Sequence, residues 1–249
     1  GTKAGGSIAI LGGCGPMGLG AVSYALAIEN KPAKVIVTDI DDAKLARANE
    51  VISVEEAKEK GVELIYVNTA KMDDPVDGLK ALSVDGKGFD DVFIFAPNEE
   101  MVTYGVKMLA FDGCLNFFSG PADQEFSSRV NFYNIHYNST HFVGTSGGNT
   151  EDMKQSIELI ENKTVNVAKI ATHILGLDHA VETTKALPEL EGSKKIVYTH
   201  KKFPLTEVDK FDENSDDKYI RELKSIVERN GNLWSGEAER YFIQNAPEI

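Results

Sequence analysis

Short apolar runs alternate with segments of helical period through the first 150 residues. Ser7–Leu11, Lys34–Thr38, Glu63–Val67, Asp91–Phe95, Cys114–Phe118 and His141–Thr145 each read as a strand. Their near-continuous apolar character is that of parallel strands covered on both faces. Helices are expected between them. Pro16–Asn30 has proline at its first position, where the missing N–H costs nothing. Asp42–Lys60 carries Leu45, Ala48, Val51 and Ile52 on one face and is closed by Gly61. A short helix falls around Val76–Leu82, another over Glu99–Ala110 up to the Asp112-Gly113 turn, and a third over Thr150–Asn162 with Thr150 as N-cap. This alternation predicts an α/β fold: a doubly wound parallel sheet of strand order 3-2-1-4-5-6. Further on, Leu177–Leu187 reads as helical and Lys195–Thr199 as a seventh strand. Past Pro204 the chain turns polar, with an acidic, turn-rich stretch over Glu207–Asp217 whose Asp209–Asp217 run reads as a solvated loop. Lys218–Arg229 has Tyr219, Leu223, Ile226 and Val227 on one side, and Glu237–Asn245 is a further short helix.

One motif carries chemical information. Gly13-Cys14-Gly15-Pro16-Met17-Gly18 fits G-x-G-x-x-G. Alone that spacing arises by chance. Here it follows an expected strand and opens an expected helix, and the next strand ends in Asp39, 21 residues after Gly18. Gly13 suits a tight turn, Gly15 a close backbone approach to a pyrophosphate, and Gly18 a close helix–strand contact. Amide groups at the helix start, with the positive end of its dipole, hold phosphates without lysine or arginine. Asp39 is placed to accept hydrogen bonds from both adenosine ribose hydroxyls and to repel a 2′-phosphate, with Asp41 and Asp42 adding to the repulsion. NAD is therefore favoured over NADP. The plainer alternatives are a glycine turn that only joins strand to helix, and Asp39 as an N-cap, a job Asp41 or Asp42 would do equally well.

Composition narrows the setting. The formal charge is −13, and no basic footprint for nucleic acid is visible. No run of about 18 apolar residues is present, so no membrane span is expected. No secretory signal is visible at the start. Two cysteines are too few for a disulfide scaffold and point to a reduced, cytoplasmic setting. The five histidines and two cysteines show no tight metal-ligand spacing.

The stretches around Gly13–Gly18, Val35–Asp41, Lys44–Ala46, Gly88–Val92, Gly144–Gly148 and Leu177–Tyr198 resemble the cofactor domain of medium-chain dehydrogenases/reductases. The G-x-G-P-x-G form is that of zinc-type alcohol and polyol dehydrogenases. Within that family the chain resembles sorbitol dehydrogenases or the related sorbose-1-phosphate reductases. The resemblance covers about residues 3–200. It implies the NAD-binding half of an oxidoreductase acting on an alcohol, polyol or sugar (phosphate). It implies cofactor contacts from Gly13, Gly15, Pro16, Met17, Gly18, Asp39 and Ile40, with Lys44 nearby, from Ala96, Phe118 and Ser119 at strand ends, and from Gly144 and Thr145 near the nicotinamide. In such enzymes a preceding catalytic domain supplies the zinc ligands. None of that pattern is among these residues, so zinc is expected only outside them and the chain by itself is expected to bind cofactor without catalysis. The expected organisation is a dinucleotide-binding domain over 1–172, a return segment over 173–205 that normally packs on the catalytic domain, and a helical tail over 206–249. The apolar residues Leu175, Leu177 and Ile196–Tyr198 then need cover from the tail or a second chain. The family's small-residue-then-glycine pattern is replaced by Ala96-Pro97-Asn98. The sixth strand leaves a sheet edge, and a homo-oligomer is expected.

The reading from another class is a stand-alone NAD(H)-binding module for redox sensing or partner binding. His173, His136 and His141 read as structural or surface residues, and Cys14 as a small filler. A Cys14–Cys114 disulfide is not expected, because strands 1 and 5 are not neighbours in the predicted order. No nucleophile elbow for a hydrolytic triad is present.

Overall fold

The computed structural model describes residues 2–212 and 215–249. Glu213 and Asn214 of the acidic stretch lie outside them. The chain divides into two compact units, one ending at Val165 and one beginning at Asn166.

The first unit runs β1 (Ser7–Leu11), α1 (Pro16–Ala27), β2 (Lys34–Asp39), α2 (Asp42–Val51), α3 (Val54–Glu59), β3 (Glu63–Asn68), α4 (Pro75–Leu82), β4 (Phe89–Ile94), α5 (Glu99–Met108), β5 (Leu109–Phe117), α6 (Phe132–Tyr137), β6 (His141–Gly144) and α7 (Thr150–Glu161). Its six strands form one sheet of order β3-β2-β1-β4-β5-β6, parallel throughout. The expected doubly wound sheet is therefore present with the expected order. Every residue of β1 is buried, as a central strand between helical layers requires. On one face Ala9, Leu11, Ile36, Val92, Ile94 and Leu115 meet Val102 and Val106 of α5 and Leu79 of α4.

Four details differ from the sequence reading. The helix expected over Asp42–Lys60 breaks at Ile52-Ser53. Ser53 caps α3 through its hydroxyl, which accepts the Glu56 N–H at 3.0 Å. The Tyr66 hydroxyl donates to the Ile52 carbonyl at 2.8 Å, satisfying a carbonyl that the break frees. The helix expected over Glu99–Ala110 stops at Met108, and β5 begins at once. The Asp112-Gly113 turn signal falls inside β5, where Asp112 takes φ 60° and the β4–β5 register shifts between Phe89 and Asp91. The cap of α7 is Asn149 rather than Thr150. Its side chain accepts the Glu151 N–H at 2.7 Å, while Asp152 Oδ2 accepts the Asn149 N–H at 2.7 Å, closing a capping box. Finally, α6 has no counterpart in the sequence reading; it is short and none of its residues is buried.

The second unit runs β7 (Ala171–Gly176), α8 (Ala180–Ala186), β8 (Lys194–Tyr198), β9 (Thr206–Glu207), α9 (Lys218–Arg229) and α10 (Gly236–Asn245). β7 has no strand signal in the sequence pattern. It is the centre of a three-stranded sheet, parallel to β8 and antiparallel to β9. Residues 173–205 and 206–249, read from the sequence as a return segment and a tail, share one core here. Ile174, Tyr198 and Phe203 pack with Val208, Phe211, Leu223, Ile226, Trp234 and Phe242. Tyr198 is thus covered and Ile196 packs against the same core, while Leu175 is buried outside that cluster and Leu177 is 46% and Val197 41% exposed. The acidic stretch contributes two anchors, Val208 and Phe211, to that core, so it is not solvated throughout. Trp234 Nε1 donates to the Tyr198 hydroxyl at 2.7 Å, and that hydroxyl reaches Glu239 Oε1 at 2.6 Å. No helix among the described residues is long and apolar enough to cross a membrane.

Phe242 is fully buried among Tyr198, Phe203 and Trp234. Phe242→Ala is expected to destabilise this unit by about 3–5 kcal/mol through lost burial and a residual cavity. The check is denaturant unfolding followed by Trp234, the single tryptophan. An unchanged midpoint of the tryptophan signal would contradict this packing.

Candidate functional site

In a parallel sheet all strands point the same way, so their carboxyl ends share one edge. Between β1 and β4 the strand order reverses, which opens a crevice at that edge. The glycine loop fills the start of it. Gly13 N–H donates to the Thr38 carbonyl at 3.0 Å, and Gly12 N–H to the Thr38 hydroxyl at 3.3 Å, so the loop is tied to the end of β2. A Cβ on Gly18 would lie 2.2 Å from the Gly13 carbonyl oxygen. Only glycine lets the first turn of α1 approach the loop so closely. Gly15 has open space where its Cβ would be. It stands at the N-cap of α1 with no side chain to satisfy the amides of the first turn, and Pro16 follows at the first helical position. Met17 is 47% exposed beside it. The loop therefore presents an uncovered cradle of backbone N–H groups, which fits an anionic diphosphate.

Asp39 ends β2 next to this cradle. Its Oδ1 accepts the N–H groups of Ile40 at 2.8 Å and Asp41 at 3.2 Å. The cap of α2 is Asp41, whose Oδ1 accepts the Ala43 N–H at 2.8 Å. Asp39 is thus spared the capping role. Ile40 is 70% exposed. Lys44 lies on the first turn of α2, also exposed. Cys14 registers both charges. Its thiol is pushed up to about 12, first by burial and then by Asp39, with Lys44 pulling the other way.

Ala96 follows β4 and borders the glycine loop, since a Cβ on Gly12 would lie 3.0 Å from the Ala96 Cβ. The departure Ala96-Pro97-Asn98 has a local purpose: Asn98 caps α5, accepting the Met101 N–H at 2.9 Å. Phe118 and Ser119 follow β5. Both backbone N–H groups donate to the Ile94 carbonyl at 3.2 Å, and the Phe118 ring packs on Phe95 at 5.5 Å. Gly144 ends β6 opposite Phe117, with Thr145 next, both exposed. The structure thus brings the residues named from the sequence to one edge. The sequence reading missed Asn68, Asp42 and Lys71 as a group at the neighbouring ends of β2 and β3. Their only sequence signal is position, one strand away from Asp39.

The other candidates lie elsewhere. His141 Nε2 is 3.0 Å from Asp112 Oδ1, and His136 packs edge-on against Tyr137. His173 is buried in β7 with Nδ1 3.0 Å from the Thr172 hydroxyl. Cys14 and Cys114 are both free thiols. Among the described residues no group of three or more His, Cys, Asp or Glu could hold a metal ion. Because the Cys14 thiol stays protonated through neutral and mildly alkaline pH, it is expected to react slowly with iodoacetamide at pH 8 and faster only at strongly alkaline pH or in denaturant. Peptide mass spectrometry over a pH series checks this, and rapid labelling of Cys14 at pH 7 would contradict it.

The sequence profile described as zinc-binding dehydrogenase matches residues 16–162. Mannitol-1-phosphate 5-dehydrogenase of Aliivibrio fischeri is 44% identical over 98% of this chain and 58% of its own length. L-sorbose 1-phosphate reductase of Klebsiella pneumoniae is 45% identical over 100% of this chain and 57% of its own length. The chain therefore spans little more than half the length of these relatives. A solved zinc-binding dehydrogenase of Sinorhizobium meliloti bound to NADP shares the fold, with a TM-score of 0.63 and 20% identity over 80% of this chain and 54% of that one. The profile covers the glycine-loop helix through α7, the sheet has the same architecture, and the relatives align over nearly every residue: the chain belongs to the zinc-binding dehydrogenase family.

Proposed function

We propose that this chain is the cofactor-binding part of an oxidoreductase that moves a hydride between a nicotinamide cofactor and an alcohol, polyol or sugar-phosphate carbonyl, and that its cofactor is NAD. The observation that carries the reading is the uncovered cradle at Gly15, held by the Gly13–Gly18 contact and flanked by Asp39. The first-turn amides of α1 hold the pyrophosphate. Asp39 Oδ1 is committed to the Ile40 and Asp41 amides, which leaves Oδ2 for the ribose hydroxyls. A carboxylate there opposes a 2′-phosphate, and this favours NAD. Ile40 offers an exposed apolar surface to the adenine. Ala96, Phe118 and Ser119 line the next stretch, and Gly144 and Thr145 the nicotinamide end.

When bound, the nicotinamide is the group that accepts or donates the hydride. The chain's residues bind and orient it. The names of the two relatives support a phosphorylated polyol or sugar as substrate class. The described residues offer no donor set that fits zinc, so no step is assigned to a metal here. The chain alone is expected to bind NAD without oxidising a polyol phosphate. A cytoplasmic setting fits the two free thiols. Self-association is also part of this reading. β6 is a sheet edge, and Phe132, Tyr133, Tyr137 and Val143 beside it are 76%, 65%, 60% and 47% exposed.

Calorimetric titration with NAD, NADH and NADP tests the cofactor. NAD(H) is expected to bind more tightly than NADP. Asp39→Ala is expected to weaken NAD by about tenfold or more, as loss of hydrogen bonds to a charged group does, and to narrow the preference. Unchanged NAD affinity in Asp39→Ala would show that Asp39 does not hold the ribose. Sedimentation is expected to show an oligomer, and a clean monomer at high concentration would remove the self-association.

A further inference from the structure

Beside Asp39, three polar side chains from the start of α2, the end of β3 and the turn after it meet at Asp42. Asn68 ends β3 directly opposite Asp39 in the β2–β3 register. Its amide nitrogen donates to Asp42 Oδ1 at 2.7 Å and to the Ile40 carbonyl at 3.2 Å. Its amide oxygen accepts the Ala70 N–H at 3.0 Å, starting a short 3₁₀ turn over Thr69–Lys71. That turn delivers Lys71, whose ammonium donates to Asp42 Oδ2 at 2.6 Å. Both oxygens of Asp42 are thereby engaged, and its carboxyl is held below the usual range, first by Lys71 and then by Asn68. An exposed ion pair alone contributes little. Here the pair is tied by Asn68 to the backbone of the residue after Asp39, so the contacts fix where the Asp39 loop sits.

We propose that Asn68, Asp42 and Lys71 are positioning residues for dinucleotide specificity. Asn68 holds the Ile40–Asp42 backbone so that the Asp39 carboxylate keeps its orientation, and Asp42 occupies a lysine that a 2′-phosphate would otherwise recruit. This rests on the NAD-binding reading above. The charge balance explains the second half. Of Asp39, Asp41 and Asp42, the first two accept backbone amides and only Asp42 pairs with a lysine, Lys71. While Asp42 is charged, Lys71 is neutralised within the loop. With Asp42 uncharged, Lys71 loses its ion-pair partner and the net negative charge near the ribose end falls, which favours a phosphate.

The test is titration of the chain with NAD and NADP in the wild type, Asp42→Asn, Asn68→Ala, and the double variant Asp42→Asn/Lys71→Met. Asp42→Asn keeps an oxygen for Asn68 and removes only the charge. It is expected to tighten NADP about threefold to tenfold while NAD changes by less than about twofold. The double variant is expected to lose that gain, because Lys71 is its source. Asn68→Ala is expected to weaken NAD about tenfold with less effect on NADP. A purely structural role would shift both cofactors alike and leave their ratio in place. If the NAD-to-NADP ratio stays within about twofold of wild type in both Asp42→Asn and Asn68→Ala, while wild type binds NAD, the clamp is refuted and the cofactor reading stands. If Asn68→Ala does not fold, the Asp42 and Lys71 variants decide alone. If the wild type binds neither dinucleotide, the cofactor reading and this inference both fall.

Discussion

The close approach of Gly18 to the Gly13 carbonyl is the constraint on which the candidate site depends. With no side chain at either position, α1 begins directly over the end of β1, and its first-turn amides point out past Gly15. The Gly13 and Gly12 amides then bind Thr38, which ties the loop to the strand that ends in Asp39. One steric contact and two hydrogen bonds therefore set the distance between the cradle and the carboxylate. A methyl group at Gly18 would push α1 away and separate the two.

Charge at this edge is handled locally. The chain is strongly acidic, yet the site proposed to receive an anion uses backbone amides and a helix start rather than a basic patch. Of the three aspartates after β2, each has a different partner. Asp39 takes the loop amides, Asp41 caps α2, and Asp42 pairs with Lys71 and Asn68. Three residues that look equivalent along the chain are thus separated by geometry into an orienting group, a cap and a tether.

The strands and their order were legible because each is a short, nearly continuous apolar run bounded by turn residues. The glycine loop was legible because its spacing sits between a strand and a helix. Boundaries were less so. The breaks at Ile52-Ser53 and Leu109 occur where a side-chain cap or a strand partner competes with a helical pattern that continues in the sequence. β7 escaped notice because Ala171–Gly176 has no clean period of its own. It becomes a strand by pairing with β8 and β9, whose paired residues lie 22 to 34 positions away along the chain.

The sequence by itself determined the α/β class, the sheet order, the glycine loop between strand and helix and the place of Asp39 at the end of β2, because these follow from local hydrophobic period, glycine spacing and residue type. Only the tertiary structure decided that residues 173–249 close a core of their own around Trp234 and Phe242, and that Asn68 and Lys71 meet Asp42. The Asp42 contacts join residues 26 and 29 apart and the Tyr198–Trp234 contact residues 36 apart, and their partners are set by strand register and packing rather than by any pattern within either segment.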